Sequence, residues 1–418
     1  MYGIAKERPV SFSIRTGISK KDLFVGLLIA IYVSDFMSLS QYVPFVLIPI
    51  LARYLVKAKM DIFMFSTLAV LLSFGAMYSL MMYFYGYIGI KEAFCFVLFP
   101  VFLYIFGQRV AHGDLNFRKT IFYLVVILAS YVAFGFASLL NTVKVFGSID
   151  EASAFLQGRY VISIWDNRLI SATLLNTTVS LGLALLPILF FKARGYQVSR
   201  KFKMFTLISF VLSFYTIMQL GNRTGLAIAV ASVLTVWMFS EGFNSRKAIR
   251  MFNFFILGMI LWFLYNRNLL GLKEKWEGTL LASRFEDEGI FGDSRTTAWK
   301  EVFSGLFAHP MGNKETVISL RYAHNLWLDV GYEAGIIPFV LLLIFTVFTL
   351  LSLRTFVKSD QPVLFKKLFI AMFTAFFITF MMEPIMGGAF TYFTAFCFIA
   401  GMVQRRNADY KYGKINNA

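Results

Sequence analysis

The stretch Arg321-Tyr322-Ala323-His324-Asn325-Leu326-Trp327-Leu328-Asp329-Val330-Gly331-Tyr332-Glu333-Ala334-Gly335 marks where a long polar loop gives way to an apolar run that continues to residue 353. Reading it as re-entry into a membrane decides the fold, because the rest of the chain repeats the pattern. Apolar runs of about 15 to 24 residues recur along the whole length, close to the roughly 20 that a helix needs to cross hydrocarbon. The same stretch sets the last of only 3 histidines at a lipid–water boundary. An imidazole there exchanges protons near neutral pH.

Composition points the same way. Of 418 residues, 58% are hydrophobic and 18% aromatic, which is too apolar for an ordinary soluble protein. Inside a bilayer the backbone groups must pair within the chain, so the spans are expected to be helices. The short alternating segments of a β-barrel are absent. The expected fold is an all-α integral membrane protein of about twelve transmembrane helices, a single polytopic domain over residues 1–418. The spans read as roughly 23–39, 42–56, 62–85, 93–107, 121–140, 169–191, 204–220, 225–240, 251–265, 325–353, 368–386 and 389–403.

Residues 1–22 are polar and basic, and no small-residue cleavage site follows the first apolar run. That run reads as an uncleaved anchor rather than a signal peptide. Both cysteines, Cys95 and Cys397, fall inside expected spans, so neither a disulfide nor a metal site is expected. No nucleotide-binding loop is evident, and no cofactor is expected.

The net charge of +17 would suggest nucleic acid in a soluble protein. Here alternate loops collect it. With both termini inside, the inner loops hold Lys6 to Lys21, Arg53 to Lys59, Arg109 to Lys119, Lys192 to Lys203, Arg246 to Arg250, Arg354 to Lys367 and Arg405 to Lys414. Roughly two-thirds of the basic residues lie there, as cytoplasmic loops require. No nucleic-acid partner is expected; membrane lipids are.

Two outer loops are long, residues 141–168 and 266–323. In the second, Trp299, Val302, Phe303, Leu306 and Phe307 follow Asp293-Ser294 at helical spacing, and His309-Pro310 ends the run. This amphipathic helix is expected to lie flat on the membrane or to pack over the mouth of the bundle.

The ionisable residues that the topology sets at the outer surface are the candidates for chemistry. Arg159 and Arg168 lie in the first long loop. Arg223 sits in the turn Gly221-Asn222-Arg223-Thr224, Arg295 follows the candidate cap Asp293-Ser294, and His324 opens the tenth span. A cation in a first helical turn is disfavoured by the helix dipole, by roughly 0.3–1 kcal/mol. The dipole and the free N–H groups instead favour an anion, so an arginine there makes sense when an anion is shared between them. Two guanidinium forks suit the oxygens of a phosphate or pyrophosphate. The plainer reading of Arg159 or Arg168 is an end-of-span arginine reaching headgroups, and that of His324 is an interfacial structural residue. His309 reads as a helix-terminus residue and His112 as part of an inner loop. Asp35 and Glu383 lie near the outer ends of spans, where a buried charge is costly; each is functional or paired with an outer arginine.

Three pieces, in this order, carry a resemblance. They are Asn222-Arg223-Thr224-Gly225-Leu226, then Ser294-Arg295-Thr296-Thr297-Ala298-Trp299 with Ala308-His309-Pro310-Met311-Gly312, then His324-Asn325 followed by Gly335. Over residues 221–340 the chain resembles the O-antigen ligase and O-antigen polymerase superfamily of bacterial inner-membrane glycosyltransferases. Pro338 departs from the small or aromatic residue of some ligases.

The resemblance implies a metal-independent, inverting glycosyltransferase with the helical bundle of lipid-dependent glycosyltransferases. Its donor would be an undecaprenyl-diphosphate-linked glycan, used at the periplasmic face. Arg223 and Arg295 would hold the diphosphate and His324 would be the base. Arg159, Arg168 and Asn325 are further candidates for substrate contact. As a polymerase of O-antigen or capsule repeat units the acceptor is a glycan, with room for a chain-length regulator as partner. As a ligase it is lipid A-core. The moderate second loop and Pro338 favour the polymerase. From a different class, a lipid-linked glycan flippase or transporter suits the span count, but it would carry half-to-half symmetry and ionisable groups near the midplane.

Overall fold

The structure, a computed structural model, describes residues 18–47, 49, 61–113, 117–156, 160–190, 200–240, 249, 253, 256, 259–260, 263–277, 282 and 293–416. In chain order the elements are α1 (Lys20–Val33), α2 (Ile62–Phe84), α3 (Ile90–Ala111), α4 (Arg118–Phe146), α5 (Ile149–Phe155), β1 (Tyr160–Ile162), β2 (Leu169–Ser171), α6 (Ala172–Leu183), α7 (Leu186–Phe190), α8 (Arg200–Gln219) and α9 (Arg223–Phe239). There follow α10 (Leu272–Glu277), α11 (Asp293–Ala308), α12 (Leu326–Ala334), α13 (Ile336–Lys358), α14 (Val363–Met382), α15 (Ile385–Gly388) and α16 (Phe390–Asn416). Among the described residues 6 helices, α2, α3, α4, α8, α13 and α14, are long and apolar enough to cross a membrane; α9 and the α6–α7 stretch are shorter apolar helices. The chain is a largely helical, multi-pass membrane protein.

Local chemistry starts these helices. Ser19 and Asp22 form a reciprocal capping box at α1, and the Asp61 carboxylate accepts the Met64 N–H at α2 (2.7 Å). Each side chain satisfies an N–H that the first turn leaves over. Helix α3 packs along α16 at Gly107 and Gly401, where a side chain would run into the backbone of Phe398 and Tyr104 respectively. Small residues at such a seam let two backbones approach closely. Around α14 and α16 the core is aromatic, with Phe373, Phe376, Phe380, Tyr392, Phe393 and Phe396 all buried. Hydroxyls inside it pair across helices, Tyr32 with Thr394 (2.7 Å), Ser180 with Tyr392 (2.6 Å) and Thr235 with Thr374 (2.7 Å). No water is at hand in hydrocarbon to take these groups, so helix-to-helix pairing satisfies them.

One end of the bundle gathers basic loop residues and their partners. Lys119 pairs with Asp22 (3.5 Å), and Arg405 with Asp409 (2.8 Å), which also meets His112 (3.4 Å). The starts of α1 and α4 are joined by the first pair, and the end of α3 is joined to α16 by the second group.

Several expected spans end or break elsewhere, each for a local reason. The run 23–39 stops being helical at Val33, because Asp35, Met37 and Ser38 take positive φ and turn the chain. The run 169–191 opens in β2 and breaks after Leu183, four residues before Pro187. A proline ring clashes with the carbonyl four residues back and has no N–H to give it. The run 325–353 divides at Gly335 into α12 and α13. Expected spans 42–56 and 251–265 lie mostly outside the described residues. The first long loop is shorter than expected, since α4 runs on to Phe146, and it is not wholly helical. It holds an antiparallel hairpin pairing Tyr160 with Ser171 and Ile162 with Leu169.

That hairpin settles two of the candidate residues. Arg168 forms an ion pair with Asp35 and a second with Asp166 (3.4 Å), while Trp165 donates to the Ser34 carbonyl (3.0 Å). The charge of Arg168 is thus met inside the chain, strapping the hairpin to the turn after α1, and Asp35 has the arginine partner that its position called for. Arg159 lies outside the described residues.

Candidate active site

The second and third motif pieces form one frame. Helix α11 presents Val302 and Leu306, both buried, with Trp299 beside them. They cover Ala323, Leu328, Tyr332 and Phe339 rather than leaving the helix to lie free on a surface. On the other face Phe303 and Phe307 are exposed and lie edge to face at 5.9 Å. The Trp299 indole N–H donates to the Ala323 carbonyl (2.7 Å), which fixes the residue immediately before His324.

The helix ends where His309-Pro310 was expected to end it. His309 pairs with Glu315 (3.0 Å), a helix-terminus role. The turn that follows is locked to the start of α13. Pro310 accepts the N–H of Ile336 (2.9 Å), and Asn313 and Lys314 donate to the carbonyls of Glu333 (3.1 Å) and Tyr332 (3.0 Å). Gly312 (φ +80°) and Gly335 (φ +93°) face each other so closely that a Cβ on Gly312 would stand 2.9 Å from the Ala334 nitrogen. Only a residue without a Cβ tolerates both that backbone angle and that approach. This contact divides the expected span into α12 and α13. Pro338 is then harmless, because in the first turn of α13 its missing N–H leaves no helical bond unmade.

Gly335→Ala is therefore expected to lower stability by about 1–3 kcal/mol from backbone strain alone, and by more from the clash with Pro310. Thermal unfolding in detergent would read this as a lowered midpoint; an unchanged midpoint would contradict the lock.

His324 itself takes a left-handed backbone (φ +54°), uncommon for a residue other than glycine. Two neighbours hold it there. Asn325 caps α12, accepting the Leu328 N–H (3.2 Å). Asp329, 3% exposed, accepts the N–H groups of Ala323 (2.7 Å) and Asn325 (3.1 Å) on its two oxygens. Helix α12 precedes the spanning segment α13. Burial, and then the Glu333 carboxylate, push the Asp329 carboxyl up to about 7, opposed by the backbone N–H groups of residues 323–325. Glu333, also buried, takes a hydrogen bond from Tyr78 of α2 (2.7 Å) and an ion pair from Lys314 (3.4 Å). The loop bearing His324 is thus clamped from below, and α12 is bolted to the bundle. Asn325, expected as a possible substrate contact, spends its side-chain oxygen on this cap.

Arg295 stands in the first turn of α11, half-buried, and its guanidinium meets the Met382 sulfur (3.6 Å) at the end of α14. Buried Glu383 follows Met382 and caps that helix. The His324 ring lies edge-on to Tyr322 (6.5 Å between centroids), and the Tyr322 hydroxyl lies beside Gly387. Arg295 thus reaches the end of α14, and Tyr322, the neighbour of His324, reaches Gly387 in the turn that follows that helix. Arg223 is the first residue of α9, where Asn222 accepts the Thr224 N–H (2.9 Å). Its helix packs along α14, where Thr235 meets Thr374 about three turns beyond Arg223. His112 sits at the opposite, basic end with Asp409.

The carboxylates Asp329 and Glu333, the lysine Lys314 and the phenol Tyr78 were missed by sequence reasoning. A signal existed, since two acidic residues four apart inside an expected span cannot both face lipid. Among the described residues no group of three or more His, Cys, Asp or Glu side chains is arranged to hold a metal ion. No protein-family model matches the chain, and no curated protein matches it.

Proposed function

We propose that the chain is a surface-polysaccharide polymerase of the bacterial inner membrane. It transfers an O-antigen or capsule repeat unit from undecaprenyl diphosphate to an acceptor sugar hydroxyl at the periplasmic face. The observation that supports this most is the mutual locking of the second and third motif pieces. Trp299 holds the residue before His324, and Gly312 nests against Gly335. Residues of these two pieces, which resemble a family in order and spacing, pack as one frame. In this reading about twelve helices span the membrane, the basic end is cytoplasmic, and the His324 end is periplasmic.

The chemistry follows from the residue types. The acceptor oxygen attacks the anomeric carbon as His324 takes its proton, and the bond from that carbon to the diphosphate oxygen breaks. The electron pair leaves with the diphosphate, where the guanidinium forks of Arg223 and Arg295 meet the growing charge without having to move. Displacement in line inverts the anomeric configuration.

A strain lacking the protein tests the reading and its acceptor. Lipopolysaccharide capped with a single repeat unit is expected. Uncapped core would mark a ligase acting on lipid A-core instead, and unaltered glycan with trapped lipid-linked intermediates inside would mark a flippase.

A further inference from the structure

Against Tyr322, whose ring also meets that of His324, lies a pocket of about 460 Å³ whose lining includes Lys314, Thr316, Leu320, Arg321, Tyr322 and Tyr332. Its size is within the roughly 300–1,000 Å³ of small-molecule sites. We propose that it is a subsite for an acidic sugar, a single carboxylate-bearing ring of the acceptor glycan; the assignment rests on reading His324 as the base of a transferase.

Charge and geometry carry this. The Lys314 ammonium stands 4.4 Å from the centre of the Tyr87 ring and 5.8 Å from that of Tyr322, and the Arg321 guanidinium stands 5.4 Å from the Tyr322 ring. The aromatic rings hold both cations in fixed places along the wall. Lys314 is already balanced by buried Glu333 at 3.4 Å, and Glu315 is drawn away by His309. Arg321 is exposed and makes no ion pair among the described residues. The pocket therefore offers one uncompensated positive charge, shaped as a fork that matches a carboxylate.

One such charge suits a uronate and falls short of a diphosphate, which separates this pocket from the role given to Arg223 and Arg295. Tyrosine rings and the Thr316 hydroxyl add what a sugar needs, apolar faces for its C–H groups and partners for its hydroxyls. Tyr322 is shared, since one edge borders the pocket and its ring meets the His324 imidazole. A ring seated here puts its neighbour in the glycan at the base.

Purified full-length protein in nanodiscs of neutral lipid, titrated with glucuronate or glucose and followed by saturation-transfer NMR, tests the assignment. Glucuronate is expected to bind, and glucose to bind more weakly. Arg321→Ala is expected to weaken glucuronate about tenfold while leaving glucose unchanged, with Arg321→Lys falling between. Arg321 is exposed, so its replacement should not unfold the chain. No glucuronate binding by the wild type, equal binding of the two sugars, or indifference to Arg321→Ala would each overturn the proposal. So would inorganic phosphate displacing glucuronate as well as glucuronate displaces itself, which would show a bare anion site. Binding is read without turnover. An inactive wild type that takes up glucuronate through Arg321 would fault the transferase reading alone; an active protein indifferent to Arg321 would fault the subsite alone.

Discussion

His324→Ala is expected to cut glycan transfer by about 10²–10⁴-fold, the usual contribution of a positioned general base, and to leave the fold and donor binding intact. The imidazole is only partly buried, and the loop that carries it is held by other groups, Asp329 below and Trp299 above. Removing the ring therefore removes chemistry without removing structure. Asp329→Asn separates the two roles. An amide offers one acceptor where the carboxylate offers two, so one of the N–H groups that it holds would face an NH₂ donor. That costs about 1–3 kcal/mol and displaces the imidazole, so Asp329→Asn should lower turnover together with thermal stability. Transfer assays and unfolding midpoints on the two proteins check this. A His324→Ala protein with normal polymer would eliminate the base.

The second large effect is expected at the arginines. Arg295→Ala should lower transfer by about 10²–10³-fold, the scale seen when one preorganised donor to a developing negative charge is lost. Unlike His324→Ala it should also weaken binding of the diphosphate-linked lipid. Arg295 is held against Met382 at the end of α14, and Arg223 opens the helix that meets α14 at Thr235 and Thr374. Arg223→Ala should behave alike, and the double variant should lose measurable donor binding. Undiminished binding of the diphosphate lipid by that double variant would remove the donor site from the account.

Much of this was legible in the sequence because bilayer physics is coarse. The apolar runs that became α2, α3, α4, α13 and α14 follow from length and composition, and the basic loops identified one end of the bundle. Helix α11 and its stop at His309-Pro310 followed from spacing and from the proline. What escaped depended on contacts between distant segments. The division at Gly335 exists because Pro310 and Gly312, more than twenty residues earlier, press on it. The hairpin depends on an ion pair between Arg168 and Asp35 across the fold. The break after Leu183 was different, since Pro187 announced it and the apolar run around it hid the warning. At the candidate site the arginines and His324 stood out by type and position. Asp329 and Glu333, which hold the frame in place, stand in the stretch 321–335 but drew no role from the sequence.

The most direct test supplies purified protein in nanodiscs with the lipid-linked glycan extracted from a strain that lacks it, and measures undecaprenyl diphosphate released against glycan lengthened. The account predicts equal amounts of both, with neither from the His324→Ala protein. Lengthened glycan without released undecaprenyl diphosphate, or no lengthening at all by the wild type, would contradict it.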